Sequence, residues 1–182
     1  MRLHFLSVLS TFALVAVDAS AEVLDAGPGG FSLAHEVVID ADRAEAWQAA
    51  VGDIGSWWSS GHTISGDAGN MTIDATPQGC FCEALGPDGG VVHMTVTFVN
   101  PNVLIRLTGG LGPLGLMGVD GNMVWEFFDD DVGGTRVKFS YAVGGYMDGG
   151  LDTIAGPVDG VIGEALLRLK SYIETGSPEL DD

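Results

Sequence analysis

Two cysteines and a histidine are the first residues in this sequence whose types suggest chemistry. Cys80 and Cys82 flank a single phenylalanine, and His93 follows after a glycine-rich turn. Thiolate and imidazole groups are ligands that zinc and copper(I) accept. The same residues therefore allow three interpretations: a metal site, a disulfide, or two buried free thiols.

The strand pattern around the turn Gly86–Gly90 separates the cysteines from the histidine. With Cys82 opposite Met94, the cysteines fall on the apolar face, and His93 pairs with Glu83 on the other face. A slip of one residue would reverse these faces. Cysteines two apart in a strand have Cα atoms near the upper limit for a disulfide, so a bridge would be strained. We expect buried free cysteines, no metal and no cofactor.

A second histidine lies alone on an apolar face. His35 falls within a predicted strand over Phe31–Ile39. It is interpreted as a core histidine or as a polar anchor inside a ligand cavity, because such cavities use a few polar groups to orient ligands. Asp159 lies beside Gly160 and Gly163 in the predicted C-terminal helix. The missing side chains there either enlarge a pocket or let a strand approach.

A glycine-rich segment matches the pattern G-x-G-x-x-G over Gly110–Gly115. A dinucleotide site of this type needs a helix directly after the glycines. Pro113 and the following glycine argue against that helix, so we expect no nucleotide. The segment is interpreted as an apolar loop that either packs or covers the mouth of a cavity. Its apolar side chains are Leu111, Leu114, Leu116 and Met117.

Large aromatic residues are the remaining candidates for a site. One of Trp57 and Trp58 is expected in the core and the other at a cavity entrance, while Trp125 and Tyr141 fit inner-face positions. No nucleophile and base occur together in a recognisable local signature. No catalytic residue is therefore assigned.

The composition limits the classes of partner. The chain has 182 residues, enough for one domain with a sizeable core, and its formal net charge is -18. A surface of this sign repels nucleic-acid phosphates and anionic headgroups. We expect no nucleic-acid partner and no stable membrane insertion of the mature chain.

The N-terminus has the pattern of a signal peptide. Arg2 precedes the apolar run Leu3–Val17, and Ala19-Ser20-Ala21 is a small-x-small cleavage site. We expect a signal peptide over residues 1–21 and an extracytoplasmic mature protein, periplasmic or secreted. A flexible lead-in over 22–30, one domain over 31–175 and an acidic tail over 176–182 complete the predicted organisation.

The hydrophobic periodicity predicts a strand, one or two short helices, about six antiparallel strands and a long C-terminal helix. Asp42 and Glu45 form a capping box before the first helix. The last helix follows an apolar stripe over Ile154–Ile173, with Pro157 in its first turn. The predicted class is α+β, with a curved antiparallel sheet of about six to seven strands wrapped around the last helix.

Such a wrap tends to leave an internal cavity, because one helix must cover the whole apolar face of the sheet. We expect the cavity to bind a small apolar molecule. The candidate lining residues are His35, Trp57, Trp58, Cys82, Met94, Leu114, Met117, Trp125, Tyr141, Asp159 and Ile162.

The order of elements resembles the START-like (SRPBCC) superfamily, also called the helix-grip fold. Val38-Ile39-Asp40 leading into Ala46–Ala49 is similar to its first strand and helix entry, and Ile54–Trp58 resembles the aromatic pair of the polyketide-cyclase and heat-shock-ATPase-activator-homologue branch. The resemblance implies a hydrophobic cavity for lipids, sterols or polyketides. The alternatives are a cyclase, dehydratase or hydrolase that uses the same cavity, and a protein–protein module.

Overall fold

The computed structural model describes residues 21–131 and 133–180. The predicted signal peptide, apart from Ala21, lies outside the described residues, as do the last two residues of the predicted acidic tail. None of the helices in the described chain is long and apolar enough to cross a membrane.

Eight antiparallel strands form one open sheet in the order β1-β2-β8-β7-β6-β5-β4-β3. The strands are β1 Ala21–Gly27, β2 Gly30–Ile39, β3 Met71–Ile73, β4 Cys80–Ala84, β5 Gly90–Asn100, β6 Leu104–Thr108, β7 Gly118–Asp129 and β8 Thr135–Tyr146. With the long C-terminal helix, this arrangement confirms the α+β class and is consistent with the predicted helix-grip fold. The sheet has one strand more than the largest number expected.

The additional strand is β1, where a flexible lead-in was predicted. It pairs with β2 so that Val23 opposes Leu33 and Ala26 opposes Phe31, and the register shifts between Val23 and Asp25. The prediction was wrong because an edge strand has one neighbour and needs little apolar periodicity of its own. Its backbone hydrogen bonds to β2 hold it in place.

Two short helices follow β2, as the sequence predicts. Helix α1, Arg43–Trp47, continues into a π-helical turn over Gln48–Gly52, and α2 covers Ile54–Trp57. The Asp42 carboxylate accepts a hydrogen bond of 2.9 Å from the Glu45 amide, so the predicted cap is present. Together these helices close one end of the sheet.

Helix α3 covers Asp152–Thr175 and ends at Gly176, which adopts a left-handed conformation with φ 77°. The helix begins earlier than predicted, so Pro157 lies inside it and not in its first turn. Gly156 precedes the proline, and a residue without a Cβ relieves the clash that usually ends a helix there. The buried residues of α3 are Ala155, Ile162, Ala165, Leu166 and Leu169.

An aromatic cluster fills the core between α2 and the sheet. The rings of Trp125 and Phe139 stack with centroids 4.3 Å apart, and Trp57 lies 6.1 Å from Trp125. The indole N–H of Trp57 donates to the carbonyl of Ala49 at 2.9 Å. Buried aromatic rings of this size supply a large part of the hydrophobic stabilisation of a domain.

The middle of α3 approaches β2 closely at one glycine. His35 is buried, and its Nε2 lies 2.7 Å from Asp159 Oδ1. A Cβ on Gly163 would lie 2.7 Å from Cε1 of the His35 ring. The glycine therefore makes room for a side chain of the strand. Of the two roles that the sequence allowed for the missing side chain, a larger pocket or a close approach of a strand, the structure shows the second.

We predict opposite effects for alanine at two neighbouring glycines of α3. Gly163→Ala should lower the free energy of unfolding by about 1–3 kcal/mol, because its Cβ overlaps a ring fixed by Asp159. Gly160→Ala, where a Cβ meets nothing within 4 Å, should raise it by up to ~1 kcal/mol through helix propensity. Urea unfolding measures both. Equal stabilisation by the two variants would refute the close approach.

Candidate functional site

A cavity of about 340 Å³ lies between the first half of α3, the loop after β6 and the segment after α2. It opens to solvent beside His62 and Ile64, which are both partly exposed. Its lining residues are Trp58, Gly61, His62, Thr63, Ile64, Leu111, Gly112, Pro113, Leu114, Met117, Tyr141, Ile154, Pro157, Val158, Val161 and Ile162.

Tyr141 supplies a buried polar group in this lining. Its hydroxyl donates to the carbonyl of Gly109 at 3.0 Å and accepts from the amide of Leu111 at 3.1 Å. Burial raises the pKa of Tyr141 to about 12, against the lowering effect of the Leu111 amide, and the charge of Asp120 adds to the increase. The hydroxyl is therefore neutral, and its proton holds the loop after β6.

The wall behind the cavity depends on a β-bulge in β5. Phe81 opposes Met94 and Cys82 opposes Val92, so His93 is the extra residue. A bulge breaks the alternation of faces and redirects side chains. Both His93 and Met94 consequently point inward, which corrects the prediction that His93 lies on the face opposite Met94.

His93 and Glu83 form a buried pair. Glu83 is 1% exposed and His93 is 4% exposed, and Nε2 of His93 lies 3.0 Å from Oε2 of Glu83. Nδ1 of His93 accepts from the amide of Gly112 at 3.2 Å. Because a backbone amide only donates, Nδ1 carries no proton, and Nε2 donates to Glu83.

The same carboxylate also binds the segment on the opposite side of the cavity. Glu83 accepts from the amide of Ile64 at 3.1 Å and from the amide of Ser65. One chain of hydrogen bonds therefore runs from Ile64 and Ser65 through Glu83 and His93 to Gly112. It joins two segments that contribute to the cavity lining.

The environment of Glu83 favours its charged form. Burial is the largest single influence and opposes ionisation, but the hydrogen bonds from Ser65, Ile64 and His93 together outweigh it and lower the pKa of Glu83 to about 2. Ionised and held by these donors, Glu83 acts as an anchor for backbone amides. It does not line the cavity.

Part of the candidate lining set faces the cavity. The structure places five of its residues there: Trp58, Leu114, Met117, Tyr141 and Ile162. The six others lie elsewhere: His35 and Asp159 contact each other, Trp57, Met94 and Trp125 are fully buried in the core, and Cys82 is disulfide-bonded. The loop after β6 forms a 3-10 turn over Gly112–Leu116, and Leu116, which does not line the cavity, is 87% exposed.

The two cysteines form a disulfide, with Cα atoms 5.3 Å apart. The prediction of buried free thiols was wrong because the register differs from the one assumed. Phe81 pairs with Met94 and is buried, while Cys82 pairs with Val92, which is 64% exposed. No three His, Cys, Asp or Glu side chains in the described ranges are grouped so that they could hold a metal ion.

Sequence reasoning missed the segment after α2 and misjudged the start of α3. Of the apolar stripe of α3, only Ile162 was named as a candidate lining residue, whereas Ile154, Val158 and Val161 line the cavity as well. His62 is exposed, lines the cavity, and has its Nε2 3.1 Å from Oε2 of Glu164. A short loop has no periodicity from which this contact could have been predicted.

We predict that Glu83 makes folding stability dependent on acid pH. Its folded pKa is about 2 and its ordinary value is 4.5, so its stabilisation is complete above pH 4.5 and is lost as the pH falls toward 2. Glu83→Gln should cost about 2 kcal/mol at neutral pH, because it weakens charge-assisted hydrogen bonds. It should also flatten the dependence of the urea midpoint on pH in that window. Asp88→Asn, at an exposed turn, is the control and should leave the slope in place.

Comparisons with known proteins give information on the fold. A scan against protein-family models finds no match, and a search of curated proteins finds no significant relative. The conserved protein of unknown function EF2215 from Enterococcus faecalis has a TM-score of 0.57 at 16% identity, over 86% of this chain and 80% of that one.

Two further solved structures are similar. CalU16 from Micromonospora echinospora has a TM-score of 0.54 at 15% identity, over 81% of this chain and 78% of its own. DynU16, a protein of the dynemicin biosynthetic locus, has a TM-score of 0.56 at 16% identity, over 81% of this chain and 48% of its own. At these identities the likeness shows the fold alone.

Proposed function

We propose that the protein binds a small hydrophobic or amphipathic molecule in the cavity beside α3. The observation that carries this proposal is the chemistry of the lining, where apolar side chains of α3 face those of the loop after β6. Ligand sites of this kind are mostly apolar and contain few polar groups. Lipid-, sterol- and polyketide-like molecules are the candidates, in keeping with the branch that the Ile54–Trp58 motif resembles.

The size of the cavity narrows these candidates. A volume of about 340 Å³ lies near the lower end of the range for small-molecule sites. It suits one compact ring system or one short chain better than a lipid with two acyl chains. Growth of the cavity would require movement of the loop after β6, which Tyr141 and His93 hold by hydrogen bonds.

We also propose that binding takes place outside the cytoplasm. The N-terminal pattern of a charged start, an apolar run and a small-x-small site supports export. The disulfide between Cys80 and Cys82 supports the same proposal, because disulfides persist in oxidising compartments.

Binding is favoured here over catalysis in the same cavity. An acid–base reaction needs titratable groups that face the substrate with protons to exchange. The hydroxyl of Tyr141 is committed to Gly109 and Leu111, and Glu83 does not line the cavity. His62, the other titratable group in the lining, is paired with Glu164 at 3.1 Å. The cavity itself argues against a protein–protein module with a filled interior.

We predict that a larger side chain on the cavity face of α3 blocks binding. The wild-type protein should bind the neutral, environment-sensitive dye Prodan with increased and blue-shifted emission. Val158→Phe places a ring in the lining and should weaken the affinity at least about tenfold. Leu167→Phe, on the exposed side of the same helix, should bind like the wild type.

Fluorescence titration with matched unfolding curves separates lost binding from lost folding. Absence of Prodan binding to the folded wild-type protein, or equal binding to Val158→Phe, would count against this cavity as the site. As an independent measurement, native mass spectrometry of protein purified from its export compartment would identify the class of any molecule that it retains.

A further inference from the structure

The positive charges of this protein are distributed away from the cavity. The sequence has seven lysines and arginines, of which Arg2 lies outside the described residues. None of the six that the structure describes lines the cavity. Three are paired with carboxylates elsewhere: Arg43 with Asp129 at 2.8 Å, Arg136 with Glu36 at 3.8 Å, and Lys170 with Glu174 at 2.6 Å.

The three other cations do not line the cavity either. Arg106 donates to the hydroxyl of Thr97 at 3.0 Å, and Arg168 donates to the carbonyl of Trp57 at 3.0 Å. Lys138 lies on β8 in register with Glu36 on β2. No ammonium or guanidinium group of the described chain is therefore present in the lining to receive an anionic ligand.

Four backbone amides beside the cavity are committed as well. The amide of Leu111 donates to Tyr141, and that of Gly112 donates to His93. The amides of Ile64 and Ser65 donate to Glu83. Groups of neighbouring amides can bind anions, but these four already have acceptors inside the protein.

Carboxylates add to this charge imbalance. Oε2 of Glu164 lies 3.1 Å from Nε2 of the lining residue His62, so any positive charge on that imidazole is matched by a carboxylate. Asp120 acts on Tyr141 from the other side, and the ionised Glu83 lies behind the wall. Together with the formal net charge of -18, these carboxylates favour a negative electrostatic potential around the cavity.

We propose that this cavity selects ligands by charge, taking apolar molecules with a neutral or cationic polar end and rejecting those with a carboxylate, sulfate or phosphate. This inference rests on the proposed function. A desolvated anion is costly unless cations or hydrogen-bond donors compensate it. The described lining contains no lysine or arginine, and the four amides named above already have acceptors inside the protein. Alcohols and amines with the same apolar body avoid this cost.

A matched series of short-chain amphiphiles tests the proposal. Decanol, decylamine and decanoate compete for the cavity with Prodan at neutral pH and low ionic strength. Decanol and decylamine should displace the dye, and decanoate should be at least about tenfold weaker than decanol. The difference between the amine and the carboxylate should shrink in high salt, because screening weakens the interaction with Glu164.

Two variants separate the local carboxylate from the overall charge. Glu164→Gln keeps a hydrogen-bonding group near His62 but removes the charge at the opening, and it should narrow the gap between amine and carboxylate. Asp88→Asn removes the same charge from an exposed turn of the β4–β5 hairpin and should leave the gap unchanged.

The outcomes distinguish this inference from the function on which it rests. Binding of decanoate as tight as that of decanol would overturn charge selection while leaving the cavity as a ligand site. Equal effects of Glu164→Gln and Asp88→Asn would overturn the role given to the opening. If neither Prodan nor any member of the series binds the folded protein, the proposed function itself fails.

Discussion

The hydrogen-bonded pair of Glu83 and His93 is the constraint on which the cavity depends. It connects two loop segments that are not paired with each other in the sheet. Glu83 holds one segment through the amides of Ile64 and Ser65, and His93 holds the other through the amide of Gly112. A buried carboxylate is tolerated because several donors share its charge. The two segments can then leave apolar side chains facing an unfilled space, since their backbone groups already have partners.

Helix α3 packs closely against the sheet in its middle and borders the cavity along its first half. Near Gly163 the helix comes so close to β2 that the ring of His35 occupies the place of a Cβ. Toward the N-terminal end, Ile154 and Val158 meet loop residues across the cavity. Strand side chains repeat at regular intervals and pack closely against a helix, whereas the side chains of a loop do not repeat in this way. The cavity lies where the neighbours of α3 change from the strand β2 to the loop after β6.

The regular parts of the fold were predictable, and the irregular parts were not. The alternation in Phe31–Ile39 and the stripe of α3 gave the architecture, because period and face are encoded locally. The bulge at His93 reversed one face of β5, and only its cross-strand partners reveal that change. The strand β1 and the contact of His62 with Glu164 likewise depend on distant neighbours.

The two edge strands of the open sheet, β1 and β3, affect whether copies of the protein can associate edge to edge. An unpaired strand edge invites pairing with another molecule, and natural sheets avoid this with short, bulged or charged edge strands. At one end β3 has three residues, and at the other β1 has a register shift followed by the exposed Asp25. Both edges thus discourage a continuous intermolecular sheet, and the protein should remain dispersed at high concentration although the described strands form an open sheet.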